Sequence, residues 1–157
     1  MAATSQLSTI YATIAAATVT VGTTTVTALN GATLTESVES AQLPVRLILP
    51  IGGQATGSTP TPRTFANRTE GGVLVVEWTI TDLLLWRGID AGIGLSDLTP
   101  DLVTYCANYL SIVGSLRKAR WSVTGITFPM IGGIEWPMSS NRWYSGVQAQ
   151  LVIKEIV

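Results

Sequence analysis

The chain contains no histidine and a single cysteine, and its first charged residue is Glu36. Lacking histidine, it lacks the commonest general base and the commonest metal ligand, so a Ser-His-Asp triad is excluded. Cys106 alone excludes an internal disulfide and a Cys-rich zinc site. It lies in an apolar helical stripe and has no histidine to activate it, so it reads as a packing thiol. Charge is scarce as well. Only 12% of the 157 residues are Asp, Glu, Lys or Arg, against 46% hydrophobic, where an average soluble domain carries about 25% charged residues. Uncharged runs recur at 47–62, 102–116, 121–134 and 143–153. A net charge of -1 gives copies little reason to repel one another. Together these shortages describe a subunit whose surface is covered by something other than water.

The length fits one domain that buries roughly two-thirds of its unfolded surface. Its apolar opening lacks the basic n-region of a signal peptide. Polar residues interrupt that opening and the run from Leu102 to Leu116, whereas a membrane span needs about 18 to 20 predominantly apolar residues. Synthesis in a cytoplasm and no membrane partner are the expectation. Asn67-Arg68-Thr69 matches a glycosylation sequon, which matters only in an exported chain.

Leu7, Ile10, Tyr11, Ile14 and Thr18 fall at helical spacing, and Ser5 stands where a cap belongs, which predicts an amphipathic helix over 5–18. Val19 to Leu29 is rich in Thr and Val and predicts extended chain, with Asn30-Gly31 as a turn. In Leu43 to Pro50, alternate residues Val45, Leu47 and Leu49 share one strand face between two prolines. Residues 51–72 are rich in Gly, Thr and Pro and show no apolar periodicity, so they predict a long loop. Leu74, Val76, Trp78 and Ile80 then line one face of a strand running toward Trp86. Thr99 as N-cap, Pro100 at the first helical position and Asp101 in the first turn predict the next helix start. Its stripe is Leu102, Tyr105, Cys106, Tyr109, Leu110 and Val113, and Gly114 closes it. Trp121 to Met130 and Ile134 to Met138 predict a hairpin turning at Gly132-Gly133. Tyr144 to Val157 is the last strand, with Val147, Ala149, Leu151 and Ile153 on one face. The order predicts an α+β fold: a mostly antiparallel sheet with two helices packed on one face, a long loop and a hairpin.

The glycines at 51–57 and 88–94 lack the spacing that cradles phosphates, and no cofactor is expected. Asp82, Asp90, Asp97 and Asp101 read as turn and capping residues. Arg117, Lys118 and Arg120 beside Trp121 form the densest basic cluster. A nucleic-acid reading competes there with simple complementation of a helix C-terminus, and the cluster remains a candidate for lining a pore through which DNA passes. Trp136 and Trp143 flank a polar turn that ends at Arg142. They are candidate subunit contacts, since Trp and Arg are enriched at interface anchors, or else they close the rim of the core.

This layout resembles the tail terminator proteins of long-tailed bacteriophages. An N-terminal helix leads to the proline-bearing strand Leu43-Pro44-Val45-Arg46-Leu47-Ile48-Leu49. A loop then precedes Val73-Leu74-Val75-Val76-Glu77-Trp78-Thr79-Ile80. A helix follows over Thr99 to Val113, and the aromatic segment Trp143-Tyr144 runs straight into the terminal strand. The 51–72 loop and the Trp121 to Met138 hairpin are richer than the family's minimum. The resemblance implies a homohexameric ring in the virion neck that caps the tail tube, stops its polymerisation and joins the tail to the head. Its partners would be other copies, the tail tube protein and a head-side connector or stopper, with DNA passing unread. Arg63, Arg68, Trp136, Arg142 and Trp143 are the candidate subunit or tube contacts, and no enzymatic activity is expected. Another ring component, such as an adaptor, tube or baseplate subunit, or a small binding module with a Trp-lined cleft, remains an alternative.

Overall fold

A computed structural model of the chain describes residues 4–29, 42–58, 73–89, 95–136 and 143–157. The elements are α1 (Leu7–Ala16), β1 (Val19–Val21), β2 (Thr24–Ala28), β3 (Val45–Ser58), β4 (Val73–Gly88), α2 (Leu95–Val113), β5 (Trp121–Glu135) and β6 (Trp143–Ile156). The six strands form one sheet in the order β1-β2-β3-β4-β6-β5. All neighbours are antiparallel except β2 and β3, which pair in parallel at Thr27↔Val45 and Ala28↔Arg46.

The Val/Thr segment folds as a tight ribbon. Val21 stands opposite Thr24, and Gly22 takes φ 59°, the left-handed conformation that a two-residue hairpin loop needs and that glycine adopts without strain. The turn therefore lies at Gly22-Thr23, while the expected turn at Asn30-Gly31 is outside the described residues. Val19, Val21 and Val26 face the core, and Thr20 and Thr25 share a 3.3 Å hydroxyl contact outside.

Helix α2 touches β1 at one margin of the sheet and β5 at the other. One helix can reach both margins only if the sheet curls around it, and the sheet is a half-barrel. Its concave side holds the main core. Ile10 and Ile14 of α1 and Leu102, Tyr105, Tyr109 and Val113 of α2 pack there against Ile80, Leu84, Val147, Leu151 and Ile153. A smaller cluster on the convex side joins Val45, Leu47, Leu83, Leu85, Ile134, Trp136 and Tyr144. Each fully buried Leu or Ile adds about 1.5–3 kcal/mol.

Several expectations are corrected. Among the described residues the fold is mostly β, with 59% strand, rather than the α+β domain expected, because ladder pairing with β4 and β6 carries β3 and β5 on through glycines and prolines that locally signal turns. Residues 51–58 extend β3, with a register shift between Pro50 and Gly52, and 59–72 lie outside the described residues. Trp121–Glu135 is one strand, not a hairpin. Gly132 and Gly133 pair with Gly146 and Ser145 of β6, so they sit inside the ladder instead of reversing the chain. Helix α2 begins at Leu95 and contains Pro100. A proline forfeits one helical hydrogen bond, yet the turn ahead of it still forms.

Candidate functional site

Two buried polar networks are built around α1. At its C-terminal end, Arg46 is fully buried on the concave face of β3. Its Nε donates to both Asp82 carboxylate oxygens at 3.3 and 3.1 Å, and Nη2 also forms an ion pair with Asp82 Oδ2. Nη2 donates to the Ile14 carbonyl at 3.1 Å, and Nη1 donates to the Ala17 carbonyl. Tyr109 donates its hydroxyl to Asp82 Oδ2 at 2.7 Å, with its ring centroid 5.4 Å from the guanidinium carbon. Burial pulls proton affinity down at Arg46, but the adjacent Asp82 carboxylate outweighs it and the net shift is upward. Burial, reinforced by Asp82, raises Tyr105 and Tyr109 above the usual phenol range.

At the other end, buried Glu155 accepts hydrogen bonds from Ser5 Oγ at 3.0 Å, from the Gln6 backbone N–H and from Trp78 Nε1 at 2.7 Å. An anion thus meets the helix N-terminus and a cation meets its C-terminal carbonyls, which is the arrangement a helix dipole favours. A buried ion pair flanked by shifted tyrosines has the outward marks of an active site. Every Arg46 nitrogen here is directed at protein acceptors, however, and none is presented to a cleft, so the network holds the helix. Among the described residues, no group of three or more His, Cys, Asp or Glu side chains could hold a metal.

Sequence reasoning assigned Asp82 to a turn, whereas it lies mid-strand and pairs with Arg46. The signal was present: each is a lone charge in an apolar run, and the two signs are opposite. Asp101 is exposed on α2, and nothing is described for the side chains of Asp90 and Asp97. Cys106 is buried, and burial raises its pKa, which fits a packing role.

The candidate contact residues separate. Trp136 is only 2% exposed and sits edge-on to Tyr144 at 6.1 Å, so it offers no surface to a neighbour. Its Nε1 has no hydrogen-bond partner among the described residues. Trp143 is 49% exposed. A Cβ added at Gly133 would stand 3.6 Å from the Trp143 ring and 4.0 Å from Ile89, which places Trp143 and exposed Ile89 in one apolar patch at the end of the sheet. Arg63, Arg68 and Arg142 lie outside the described residues. Within the basic cluster, half-buried Arg120 is tied to the chain's own backbone, donating from Nε to the Ile156 carbonyl at 3.1 Å and from Nη2 to the Thr4 carbonyl at 3.3 Å. Arg117 and Lys118 are exposed.

The outer face of α2 was not singled out from sequence. Val103 and Leu110 are about half exposed and form one strip with exposed Ala107 at helical spacing, while Ile112 is exposed on the other margin of this face, across Thr104 and Ser111. Thr104 and Ser111 return their hydroxyls to the carbonyls of Pro100 and Ala107, so the polar groups on this face are already partly satisfied. Among the described residues, no helix is long and apolar enough to cross a membrane. Compared by sequence, the chain matches no family model and no curated protein.

Proposed function

We propose that this chain is a structural ring subunit of a long-tailed phage neck, a tail terminator that caps the tube, stops its growth and joins tail to head. The observation that carries the reading is the outer face of α2 beyond Asp101, which bears no charge. From Leu102 to Leu116 there is no charged residue, although Val103, Ala107, Leu110 and Ile112 all face outward. A solvated helix ordinarily carries charged residues on its outer face, and contiguous apolar surface marks a site of association. The mechanism is steric and adhesive. Lateral contacts close a ring of copies, one ring face seats on the tube end, and the exposed Trp143 with Ile89 supplies an aromatic anchor.

The test is light scattering on the purified chain, followed by its addition to polymerising tail tubes. A closed species near six subunits that halts tube growth is the expected result. Indefinite stacking identifies a tube subunit instead, and a monomer that leaves tubes unaffected rejects the reading. Leu110→Glu is expected to weaken one of these contacts while leaving the fold intact.

A further inference from the structure

We infer that copies of this chain join by backbone pairing, with the β5 margin of one copy laid against the outer length of β3 in the next. The inference rests on the proposal that the chain works as an assembled ring subunit, and it specifies the lateral contact. Among the described residues, β6 is the only strand paired with β5; the other side of β5 is met only at its start, where Arg117 bridges Ser122 and the Lys118 and Val123 N–H groups donate to the Trp121 and Leu116 carbonyls. β2 covers β3 only at Val45 and Arg46, with one further bond from the Leu29 N–H to the Arg46 carbonyl. Beyond that point β3 continues to Ser58 with β4 as its only described partner. The sheet therefore presents two open rows of backbone donors and acceptors, one on each side.

Open edges invite pairing with another chain, and monomeric proteins blunt them with charged side chains, above all lysine. Neither edge here has that protection: Leu47 to Ser58 and Trp121 to Ile134 contain no charged residue. Pro50 and Pro129, with register shifts at Pro50/Gly52, Val123/Gly125 and Thr127/Met130, interrupt the rows. They leave regular uncharged runs at 52–58 and 130–134. Side-chain size is complementary across the two runs. Gly52 to Gly57 are small or slender and exposed, while Met130 and Ile131 project bulk at 47% and 41% exposure. Because both rows belong to one molecule at opposite margins, a second copy supplies the missing strand at either side. That pairing is head-to-tail, the type that closes into rings.

The experiment uses two full-length variants, Ala55→Lys in β3 and Met130→Lys in β5, each checked for native circular dichroism and an unchanged urea midpoint. Both substituted positions are exposed. The wild type is expected to assemble, and each variant alone is expected to run as a monomer in light scattering. An equimolar mixture should give a 1:1 dimer that grows no further, because each variant keeps the edge that the other has lost. If both variants assemble like the wild type, the edge pairing is overturned while the ring reading stands on another surface. If the wild type stays monomeric at every concentration and does not cap tubes, the ring reading falls and the edge pairing falls with it.

Discussion

Arg46 and Asp82 are the residues on which the concave core depends most sharply, because a buried charge is tolerated only while its partner remains. Asp82→Asn leaves the guanidinium without a counter-charge, and the expected loss is about 3–5 kcal/mol in urea unfolding. Replacing both partners by apolar residues, Arg46→Met with Asp82→Leu, should cost clearly less than the two single changes added together, since no orphan charge remains. Tyr109→Phe removes a hydrogen bond to a carboxylate and should cost about 1.5–3 kcal/mol. The same cluster sets an alkaline limit. Burial raises Tyr105 and Tyr109 above the ordinary phenol value, so the folded state holds their protons more tightly than the unfolded chain. Their contribution is complete below a pH of about 10 and declines as pH rises past it, because the unfolded chain ionises first. A urea midpoint that is flat through neutrality and falls above that point is expected, with a shallower fall in Tyr105→Phe.

Helix α1 shows how an element can draw the charges at its two ends from elsewhere in the chain, even though Ser5 caps it locally by accepting from the Leu7 N–H at 3.2 Å. It has no acidic residue in its first turn, no basic residue in its last and no side-chain cap from Gln6. Strands distant in sequence supply both charges instead, Glu155 at one end and Arg46 at the other. Glu155→Gln should therefore speed amide exchange over residues 7–10 more than over α2 and alter Trp78 fluorescence, because it removes the anion from the helix N-terminus. The β4–β6 ladder depends on glycine at one point. A Cβ at Gly146 would lie 1.8 Å from the Leu84 carbonyl oxygen, so Gly146→Ala should cost about 3 kcal/mol or more. At Gly125 an added Cβ meets nothing within 4 Å, and Gly125→Ala should stay within about 0.5 kcal/mol of wild type. Alternation made β4 and β6 legible in sequence, down to the inward faces of Trp78, Ile80, Val147 and Leu151. Residues 51–58 and Gly132-Gly133 were misread because glycine signals a turn when its partner strand is unseen: Gly52 pairs with Thr79 and Gly132 with Gly146, across intervening chain that a local pattern does not bridge. The Glu155 clamp was not legible for the same reason: no local pattern reports a contact between Ser5 and Glu155.

As a whole, the molecule has little charge through which salt could act on association. Nine basic and ten acidic residues in 157 leave apolar and backbone contacts to hold copies together. The assembled mass at fixed protein concentration should therefore be the same at low and high ionic strength, where a charge-steered complex would dissociate. Sedimentation at the two salt concentrations checks this. The placement of β6 has a further consequence, in time rather than in space. It is the last strand in chain order, yet it lies between β4 and β5, pairing Val75 with Ile156 on one side and Trp121 with Glu155 on the other. β5 is made earlier but has no described strand partner until β6 arrives, so the sheet cannot be laid down in the order of synthesis. Pairings this distant fold in milliseconds to seconds rather than microseconds. During that interval the apolar flanks of β4 and β5 are open to wrong partners, so correct association between copies must wait until the final strand has been inserted.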